Sequence, residues 1–434
     1  MLFKSLLLAT GQVSLAIAKV QYMGMNIAGG DFGCAIDGTC TTSSTQLPLS
    51  TLGGGDGAGQ MQHFVTDDQM NIFRLPVSWQ FLTNNVLGAT LDSTNLGKYD
   101  QVMQACLNTG AYCAIDIHNF ARWNGEIIGQ SSTVTDDMFV SLWTQLATKY
   151  ASQSKVLFGI MNEPHDLDIA TWAATCQKVV TAIRNAGAST QMILLPGNNF
   201  ASAGTFVSNG SGAALIAITN PDGSTTNLIL DIHKYLDVDN SGTHAECTTD
   251  NIADAFALVA DFLRTNSRQA LVSETGAGSS ASCFTDFCAQ NAYLNSNSDV
   301  FLGYIAWAAG SFATSYVLSL TPTQTNGQYV DNALASQCVI APWLNSTSTA
   351  SSAAGAVATV SPTTTRTSIM TRTTTASVFT GTSTVQIGIT TSNRTATIGF
   401  AAATGGALAS TTNGTVKASA TATSTSSFTG EAHR

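Results

Sequence analysis

Hydrophobic positions upstream of Asn345 fall into short, nearly continuous runs, and longer stretches with helical periodicity separate them. Strands of a parallel sheet are buried on both faces and therefore read as apolar runs of this length. The runs predict eight strands, at Gln21–Ala28, Asn71–Val77, Tyr112–His118, Val156–Asn162, Met192–Gly197, Leu228–Tyr235, Ala270–Glu274 and Val300–Ala306. The segment 136–150 between the third and fourth runs is typical of an amphipathic helix. Its apolar face consists of Phe139, Leu142, Trp143, Leu146 and Tyr150.

Eight strands that alternate with helices over about 250–330 residues predict an α/β fold of the (β/α)8, or TIM barrel, type. The alternative is a doubly wound open sheet. A dinucleotide-binding sheet of that kind carries G-x-G-x-x-G after its first strand, and this chain has no such motif there. The pattern therefore favours the barrel.

The two ends of the chain differ in composition from the middle. Residues 1–18 resemble a secretory signal peptide, with Lys4 before an apolar stretch and small residues at Ala16 and Ala18. Of the 90 residues in 345–434, 40 are Ser or Thr and none is Cys, Trp or Tyr. Such a segment lacks the apolar surface to offset the entropy of ordering. We expect a signal peptide at 1–18, a catalytic domain at 19–344 and a disordered, O-glycosylated tail at 345–434 in a secreted glycoprotein.

Charge and cysteine content narrow the classes of partner. The 434 residues include 17 basic and 27 acidic ones, and the segment 19–344 has 11 basic against 26 acidic. An acidic chain has no electrostatic surface for nucleic acid or anionic lipid, so we expect neither partner. After residues 1–18 no stretch approaches the ~20 apolar residues that a membrane span needs, so we expect no span. We also expect a monomer. No paired C-x-x-C or H-E-x-x-H occurs, so neither a structural zinc site nor a zincin is predicted.

The nine cysteines suit an oxidising compartment. Cys34 and Cys40 are close enough in sequence to close a short loop, and so are Cys106 and Cys113. Spacing alone does not pair the four cysteines at 247, 283, 288 and 338. Cys176 lies in a helix-like stretch, which predicts a buried, inert thiol.

Polar side chains follow several predicted strands, where the carboxyl ends of barrel strands form one mouth. They are Arg74, Asp116, His118, Asn162, Glu163, Asp231, His233, Tyr235, Glu274 and Trp307. Glycosidic cleavage needs two carboxyl groups, one protonated and one ionised, and Glu163 and Glu274 would face each other from strands four and seven. Arg74 and Tyr235 would keep one carboxylate ionised, while burial and its neighbour's charge raise the pKa of the other. The structural alternative is that one glutamate merely pairs with Arg74.

Five motifs in order resemble glycoside hydrolase family 5, and above all its secreted fungal endo-β-1,4-glucanases, over residues 20 to 341. They are Arg74-Leu75-Pro76-Val77, Asp116-Ile117-His118-Asn119, Gly159-Ile160-Met161-Asn162-Glu163-Pro164-His165, Asp231-Ile232-His233-Lys234-Tyr235 and Ser273-Glu274-Thr275-Gly276. The resemblance implies a cellulase that hydrolyses β-glucan with retention of configuration and requires no metal or organic cofactor. A retaining pair of carboxyl groups lies about 5–5.5 Å apart.

The resemblance also implies residue roles. Glu163 is the acid/base and Glu274 the nucleophile, and Asn162 binds the 2-hydroxyl of the sugar being cleaved. Further substrate-binding positions are Arg74 and Tyr235 beside the nucleophile, His118, His233 near the acid/base, and Trp307 beneath the sugar. The implied disulfides are Cys34–Cys40, Cys106–Cys113, Cys247–Cys283 and Cys288–Cys338.

Four further tryptophans separate into candidate sugar platforms and core residues. Trp123, after strand three, is predicted to line the cleft, and Trp79 is a further candidate platform. Trp172 begins a helix, and the sequence favours sugar binding and core packing equally for it. Trp143 lies in the middle of a helix and is predicted to be core.

Two alternatives to a cellulase remain at this stage. One is the same chemistry on mannan, xylan or β-1,3-glucan, because loops rather than strand ends select the sugar. The other is a cell-wall glycoprotein that binds glycan without cutting it, to which the Ser/Thr-rich tail points. The presence of both Glu163 and Glu274 argues against the second.

Overall fold

A computed structural model describes residues 19–345; the predicted signal peptide and residues 346–434 lie outside the described residues. Eight parallel strands form a closed barrel in the order β1-β8-β7-β6-β5-β4-β3-β2. The barrel strands are β1 Tyr22–Ala28, β2 Ile72–Val77, β3 Tyr112–Ile117, β4 Val156–Gly159, β5 Ile193–Pro196, β6 Leu228–His233, β7 Ala270–Thr275 and β8 Phe301–Gly310. The predicted TIM barrel is confirmed.

All eight predicted strands are present, but three of their carboxyl ends are misplaced by more than one residue. Strand β4 ends at Gly159 and β6 ends at His233, so Asn162, Glu163 and Tyr235 lie on loops beyond the ladders. Strand β8 continues past the predicted end, because it stays paired with β1 as far as Gly310. Each strand ends where its pairing with a neighbouring strand ends, and the sequence of one strand does not reveal that point.

Helices of the described segment surround the barrel and supply its outer layer. Their bounds are Gly57–Thr66, Trp79–Leu82, Ser93–Asn108, Asp136–Tyr150, Ile169–Asn185, Ser211–Leu215, Ala257–Thr265, Ala281–Ser296 and Ala341–Asn345. Wider π turns at Ile252–Phe256 and Ala335–Ile340 precede the helices that follow them. Two hairpins lie outside the barrel, Arg122–Trp123 with Glu126–Ile127 and Thr323–Thr325 with Gln328–Val330. Within residues 19–345, no helix has the length and apolar character needed to cross a bilayer.

The helix Asp136–Tyr150 has the predicted bounds. It begins where the Thr135 side chain accepts a hydrogen bond from the backbone N–H of Met138, which satisfies a donor that the first turn leaves unpaired. Its predicted apolar face is buried, and Trp143 Nε1 donates to the carbonyl of Ile160 at 3.2 Å. The helix is thereby fixed to the chain just after β4, which is the segment that leads to Glu163.

The barrel interior has an apolar layer that positions the polar groups above it. Every strand contributes to this layer, which consists of Tyr22, Ile72, Ala114, Leu157, Leu194, Ile229, Leu271 and, from β8, Leu302 and Ile305. Side chains two residues apart on a strand share a face. The next interior positions on β2, β3, β6 and β7 are therefore Arg74, Asp116, Asp231 and Ser273, and all four are buried.

Four disulfides close loops around the barrel with the implied pairing: Cys34–Cys40, Cys106–Cys113, Cys247–Cys283 and Cys288–Cys338. Cys176 is a free, buried thiol. Burial is the main cause that raises its pKa above the ordinary value, so it is inert, as predicted.

Candidate active site

The Arg74 guanidinium is the centre of a buried hydrogen-bond network above the apolar layer. Its Nη1 donates to Glu274 Oε2 at 2.7 Å and to Asn26 Oδ1 at 2.9 Å. Its Nη2 donates to Asn162 Oδ1 at 2.6 Å and lies 3.1 Å from Asp116 Oδ1. Burial alone would lower the pKa of Arg74, but Asp116 and Glu274 raise it above the ordinary value. Arg74 therefore remains a cation that fixes groups from four strands or their loops.

Glu274 is a carboxylate with two strong donors. The Tyr235 hydroxyl donates to Oε1 at 2.6 Å, while Arg74 binds Oε2. Burial raises the pKa of Glu274, but the charges of His233, Arg74 and His118 and the bond from Tyr235 outweigh burial and hold the pKa below its ordinary value. Glu274 is therefore an ionised carboxylate at the mildly acidic pH where an ordinary buried acid is protonated.

Glu163 occupies a loop position with an unusual backbone, since its φ is 42°. A left-handed φ is costly for a residue with a Cβ, and here it belongs to a residue whose carboxyl group meets His233. His233 Nδ1 lies 3.1 Å from Glu163 Oε1 and 3.9 Å from Glu274 Oε2. An oxygen of each glutamate and a nitrogen of His233 all lie within 4.8 Å of one another. The structure thus brings together the two predicted carboxyl groups.

His233 spans the two glutamates and is held from behind. Its Nε2 lies 3.0 Å from Ser273 Oγ, which fixes the ring while Nδ1 faces the carboxyl groups. Burial lowers the pKa of His233, but Glu274 and Glu163 raise it above the ordinary value. The imidazole therefore supplies positive charge between two acids.

A second histidine lies on the other side of Asn162. His118 Nδ1 lies 2.8 Å from Asp116 Oδ2, and Asn162 Nδ2 lies 3.2 Å from His118 Nε2. Because Arg74 already donates to the Asn162 oxygen, the amide NH₂ must face His118. The ring of His118 stacks on Trp307 with centroids 5.7 Å apart and planes 19° apart, and Trp307 Nε1 donates to the Tyr316 hydroxyl at 3.1 Å. Asn162, His118 and Trp307 therefore form one continuous wall.

The tryptophans predicted from sequence fall into two groups. Trp79 and Trp172 are fully buried, so the expectation that they are sugar platforms is wrong for Trp79, and packing is the outcome for Trp172. Trp172 Nε1 donates to the carbonyl of Pro196 at 2.9 Å, which fixes its helix to β5. Trp143 is core, as predicted. Trp123 packs edge-on against Trp79 at 5.2 Å, on the hairpin beside the mouth, and its role in binding sugar stays a prediction.

Sequence reasoning missed three members of the site. Asn26 accepts from Arg74 and its Nδ2 donates to the carbonyls of Ser273 and Ala306. Ser273 orients His233, and Tyr316 accepts from Trp307. The available signal for Asn26 and Ser273 was a polar residue inside an otherwise apolar run.

Comparison with known proteins points to the same family that the five sequence motifs resemble. The sequence model of the cellulase family, glycosyl hydrolase family 5, matches residues 33–310. Endoglucanase EG-II of Hypocrea jecorina is 62% identical over 324 residues, which cover 74% of this chain and 77% of the relative. A manganese-dependent endoglucanase of Phanerodontia chrysosporium is 46% identical, over 69% of this chain and 75% of its own.

Solved structures agree in fold and in sequence. The crystal structure of Cel5A (EG2) from Hypocrea jecorina has a TM-score of 0.73 and 62% identity, and the match covers 74% of this chain and 99% of that one. A structure of XacCel5A in complex with cellopentaose has a TM-score of 0.62 and 28% identity, covering 70% of this chain and 95% of that one. With this family match, these identities and the confirmed barrel, the chain belongs to glycoside hydrolase family 5, the cellulase family.

Proposed function

We propose that this protein is a secreted, retaining endo-β-1,4-glucanase that hydrolyses internal bonds of cellulose and related glucans by double displacement. The observation that carries the proposal is the pair Glu163 and Glu274, with oxygens within 4.8 Å of each other and unlike partners. Retaining enzymes have carboxyl groups about 5–5.5 Å apart, whereas inverting enzymes need about 6.5–9.5 Å to admit a water. The close approach supports retention.

In the first step Glu274 is the nucleophile. Arg74 and Tyr235 hold its carboxylate ionised and leave it aimed into the mouth beside Glu163. Attack of an oxygen of Glu274 on the anomeric carbon forms a covalent glycosyl-enzyme, while Glu163 gives its proton to the departing glycosidic oxygen. The Glu163 carboxyl meets His233 rather than a permanently charged guanidinium, which suits a group that must release and regain a proton.

In the second step Glu163, now ionised, removes a proton from water, and that water releases the sugar from Glu274 with its original configuration. His233, whose pKa the two acids raise, stabilises whichever glutamate carries the charge. Arg74 and Tyr235 stabilise the Glu274 carboxylate as it leaves. Glu163 thus regains from water the proton that it gave in the first step, and protein groups supply each balancing charge.

Substrate recognition follows from the wall beside the pair. The Asn162 NH₂ group faces His118, and we propose that it binds the 2-hydroxyl of the sugar being cleaved. The indole of Trp307 offers an apolar face that matches a glucose ring. The cellopentaose complex of the related XacCel5A supports a β-1,4-glucan chain as the substrate class.

We propose that the reaction needs no metal ion, although one relative is named as manganese-dependent. A metal ion would assist the reaction by stabilising the two carboxyl groups, and both already have protein partners. Arg74 and Tyr235 bind Glu274, and His233 contacts Glu163. Removal of divalent ions with EDTA should leave kcat on soluble glucan unchanged. A loss of kcat that manganese restores would contradict this part of the proposal.

The proposal also assigns roles to the two ends of the chain. We propose that residues 1–18 direct secretion and that 345–434 form an O-glycosylated extension without a cellulose-binding module. Such a module needs a flat aromatic face, and the only aromatic residues in 345–434 are Phe379, Phe400 and Phe428. We therefore propose that the enzyme acts better on soluble or amorphous glucan than on crystalline cellulose.

Two glutamine variants and an activated substrate test the two roles separately. With an aryl cellobioside whose leaving group needs no proton, E163Q should release one equivalent of phenol in a burst and then stall, because only the second step requires its base. E274Q should give no burst, while both should lower kcat on carboxymethyl-cellulose by about 10²-fold or more. The control is E246Q, since Glu246 is exposed and accepts from Ser282 instead.

Product configuration tests the stereochemistry directly. NMR of fresh cello-oligosaccharide hydrolysate should show the β-anomer first. Initial appearance of the α-anomer, or parental turnover by E274Q, would refute the assignment.

A further inference from the structure

A second cluster of ionisable side chains lies outside the catalytic network. His63 is in the last turn of the helix Gly57–Thr66, and Asp67 and Asp68 follow that helix directly. Asp331 follows the hairpin that ends with Gln328–Val330, and it contacts His63 across 268 positions of sequence. The cluster thus joins two segments that are remote along the chain.

The imidazole of His63 is oriented as a ligand. Its Nδ1 lies 2.7 Å from Asp67 Oδ2, so Asp67 supports that side of the ring and Nε2 is the nitrogen that faces the other two carboxylates. Nε2 faces Asp331, whose two oxygens lie 3.1 and 3.2 Å away, and Asp68 Oδ2 at 3.7 Å. A carboxylate behind one ring nitrogen is the usual support for a histidine that binds metal through the other.

Asp68 provides an independent sign that something is missing from the cluster. Its side chain is 9% exposed, and its Oδ2 has no hydrogen-bond donor among the described residues although it points at His63. A buried carboxylate oxygen without a donor is costly. Three carboxylates also surround a single imidazole here. A cation would supply the missing partner of Asp68.

The spacing of the ligand atoms suits a small divalent ion. Tetrahedral ligands at about 2.0–2.2 Å from a metal lie about 3.3 Å from one another. The distances from His63 Nε2 to Asp331 and Asp68, 3.1 and 3.7 Å, bracket that value, and all three ligand atoms lie within 4.8 Å of one another. One imidazole with two carboxylates is a donor set for zinc or manganese rather than for softer ions.

We propose that His63, Asp68 and Asp331 bind a divalent transition-metal ion, Zn²⁺ or Mn²⁺, with Asp67 as the supporting carboxylate. The Tyr329 ring packs 5.4 Å from His63 and its hydroxyl donates to Asp56 at 2.5 Å, so the hairpin already covers this helix. The ion ties the helix to the segment after the hairpin and stabilises the folded state. This site is separate from the glutamates of the proposed reaction, and its test does not depend on them.

The experiment uses the full chain, stripped with EDTA and then titrated with ZnCl₂. We expect one equivalent bound by calorimetry and a rise in Tm of about 3–5 °C at a hundredfold excess over Kd. The isosteric variants D68N and D331N should lose both the bound equivalent and the rise. With MnCl₂, electron paramagnetic resonance should show immobilised Mn²⁺ in the parent and free Mn²⁺ in both variants.

The matched control is D239N, because Asp239 belongs to the other peripheral cluster, with Asp237 and His244. D239N should bind zinc and gain stability as the parent does. Glucan hydrolysis at 25 °C establishes that each variant is folded. Absence of zinc and manganese binding by the parent, or binding by D68N and D331N equal to that of the parent, would overturn the proposal.

Discussion

The charges of His233, Arg74 and His118 and the hydrogen bond from Tyr235 together hold the pKa of Glu274 below its ordinary value, so removal of that bond should shift the acid limit of activity. The hydroxyl donates to Oε1 at 2.6 Å, and Glu274 is only 4% exposed, so little water can replace the donor in Tyr235→Phe. A hydrogen bond to a charged group contributes about 1.5–3 kcal/mol, and one pKa unit corresponds to about 1.4 kcal/mol. The bond favours the ionised form, so its loss raises the pKa of Glu274 and moves the acid limb of the pH profile up by about 1–2 pH units.

The assay is kcat/KM on a soluble cello-oligosaccharide as a function of pH, because this quantity reports the ionisation of the free enzyme. The signature is a displaced acid limb. If kcat/KM instead falls by the same factor at every pH, the variant has lost the positioning of Glu274 but the ionisation of Glu274 is unchanged.

Tyr316→Phe is the matched control. Tyr316 is partly buried near Glu274, but its hydroxyl accepts from Trp307 rather than donating to the glutamate. Its acid limb should stay within a few tenths of a pH unit of the parent. If Tyr235→Phe also leaves the limb in place, Tyr235 does not control the ionisation of Glu274 and the assignment of that limb is wrong.

Three further outcomes follow from packing and covalent geometry. Trp172→Phe loses the hydrogen bond to the Pro196 carbonyl and some buried volume. The free energy of unfolding, measured in urea, should therefore fall by about 1–3 kcal/mol, while KM stays unchanged. A raised KM would mean that Trp172 binds sugar. Replacing both Cys288 and Cys338 by Ser opens a loop of 50 residues, which should lower the free energy of unfolding by about 4 kcal/mol in the same measurement, and an unchanged midpoint would contradict it. Removing 345–434 should leave the ratio of activities on crystalline and carboxymethyl-cellulose as it was; a fall on the crystalline substrate alone would show a binding role for that segment.

The barrel was predictable because its signal is local. Each apolar run and the periodicity of 136–150 can be read from a few consecutive residues, and the helix was found at its observed bounds. Polar residues at strand ends pointed to the mouth for the same reason. The pairing of Cys247 with Cys283 came from family resemblance, since spacing does not determine which loops meet.

The tryptophans show where sequence stops being informative. Trp79 follows β2 and Trp307 lies in β8, yet Trp79 is sealed in the core whereas Trp307 stacks on His118 in the candidate site. An indole looks equally suited to packing or to sugar until its N–H partner is known. That partner is a strand-end carbonyl for Trp172 and a tyrosine hydroxyl for Trp307.

Asn26 was missed because its role depends on register between strands. It pairs directly with Arg74 across β1 and β2, so its side chain shares the interior face with the guanidinium. Within its own sequence it is one amide in an apolar strand. The left-handed φ of Glu163 and its contact with the distant His233 are equally invisible in the sequence.

The apolar layer inside the barrel has a practical consequence for engineering. It separates the polar network around Arg74 from the opposite end of the barrel, where Gln21, Asn227 and Gln269 line a depression. Fusion partners, immobilisation tags or cross-links attached at that far end should leave turnover intact, which makes it the natural place to graft a module for insoluble fibres.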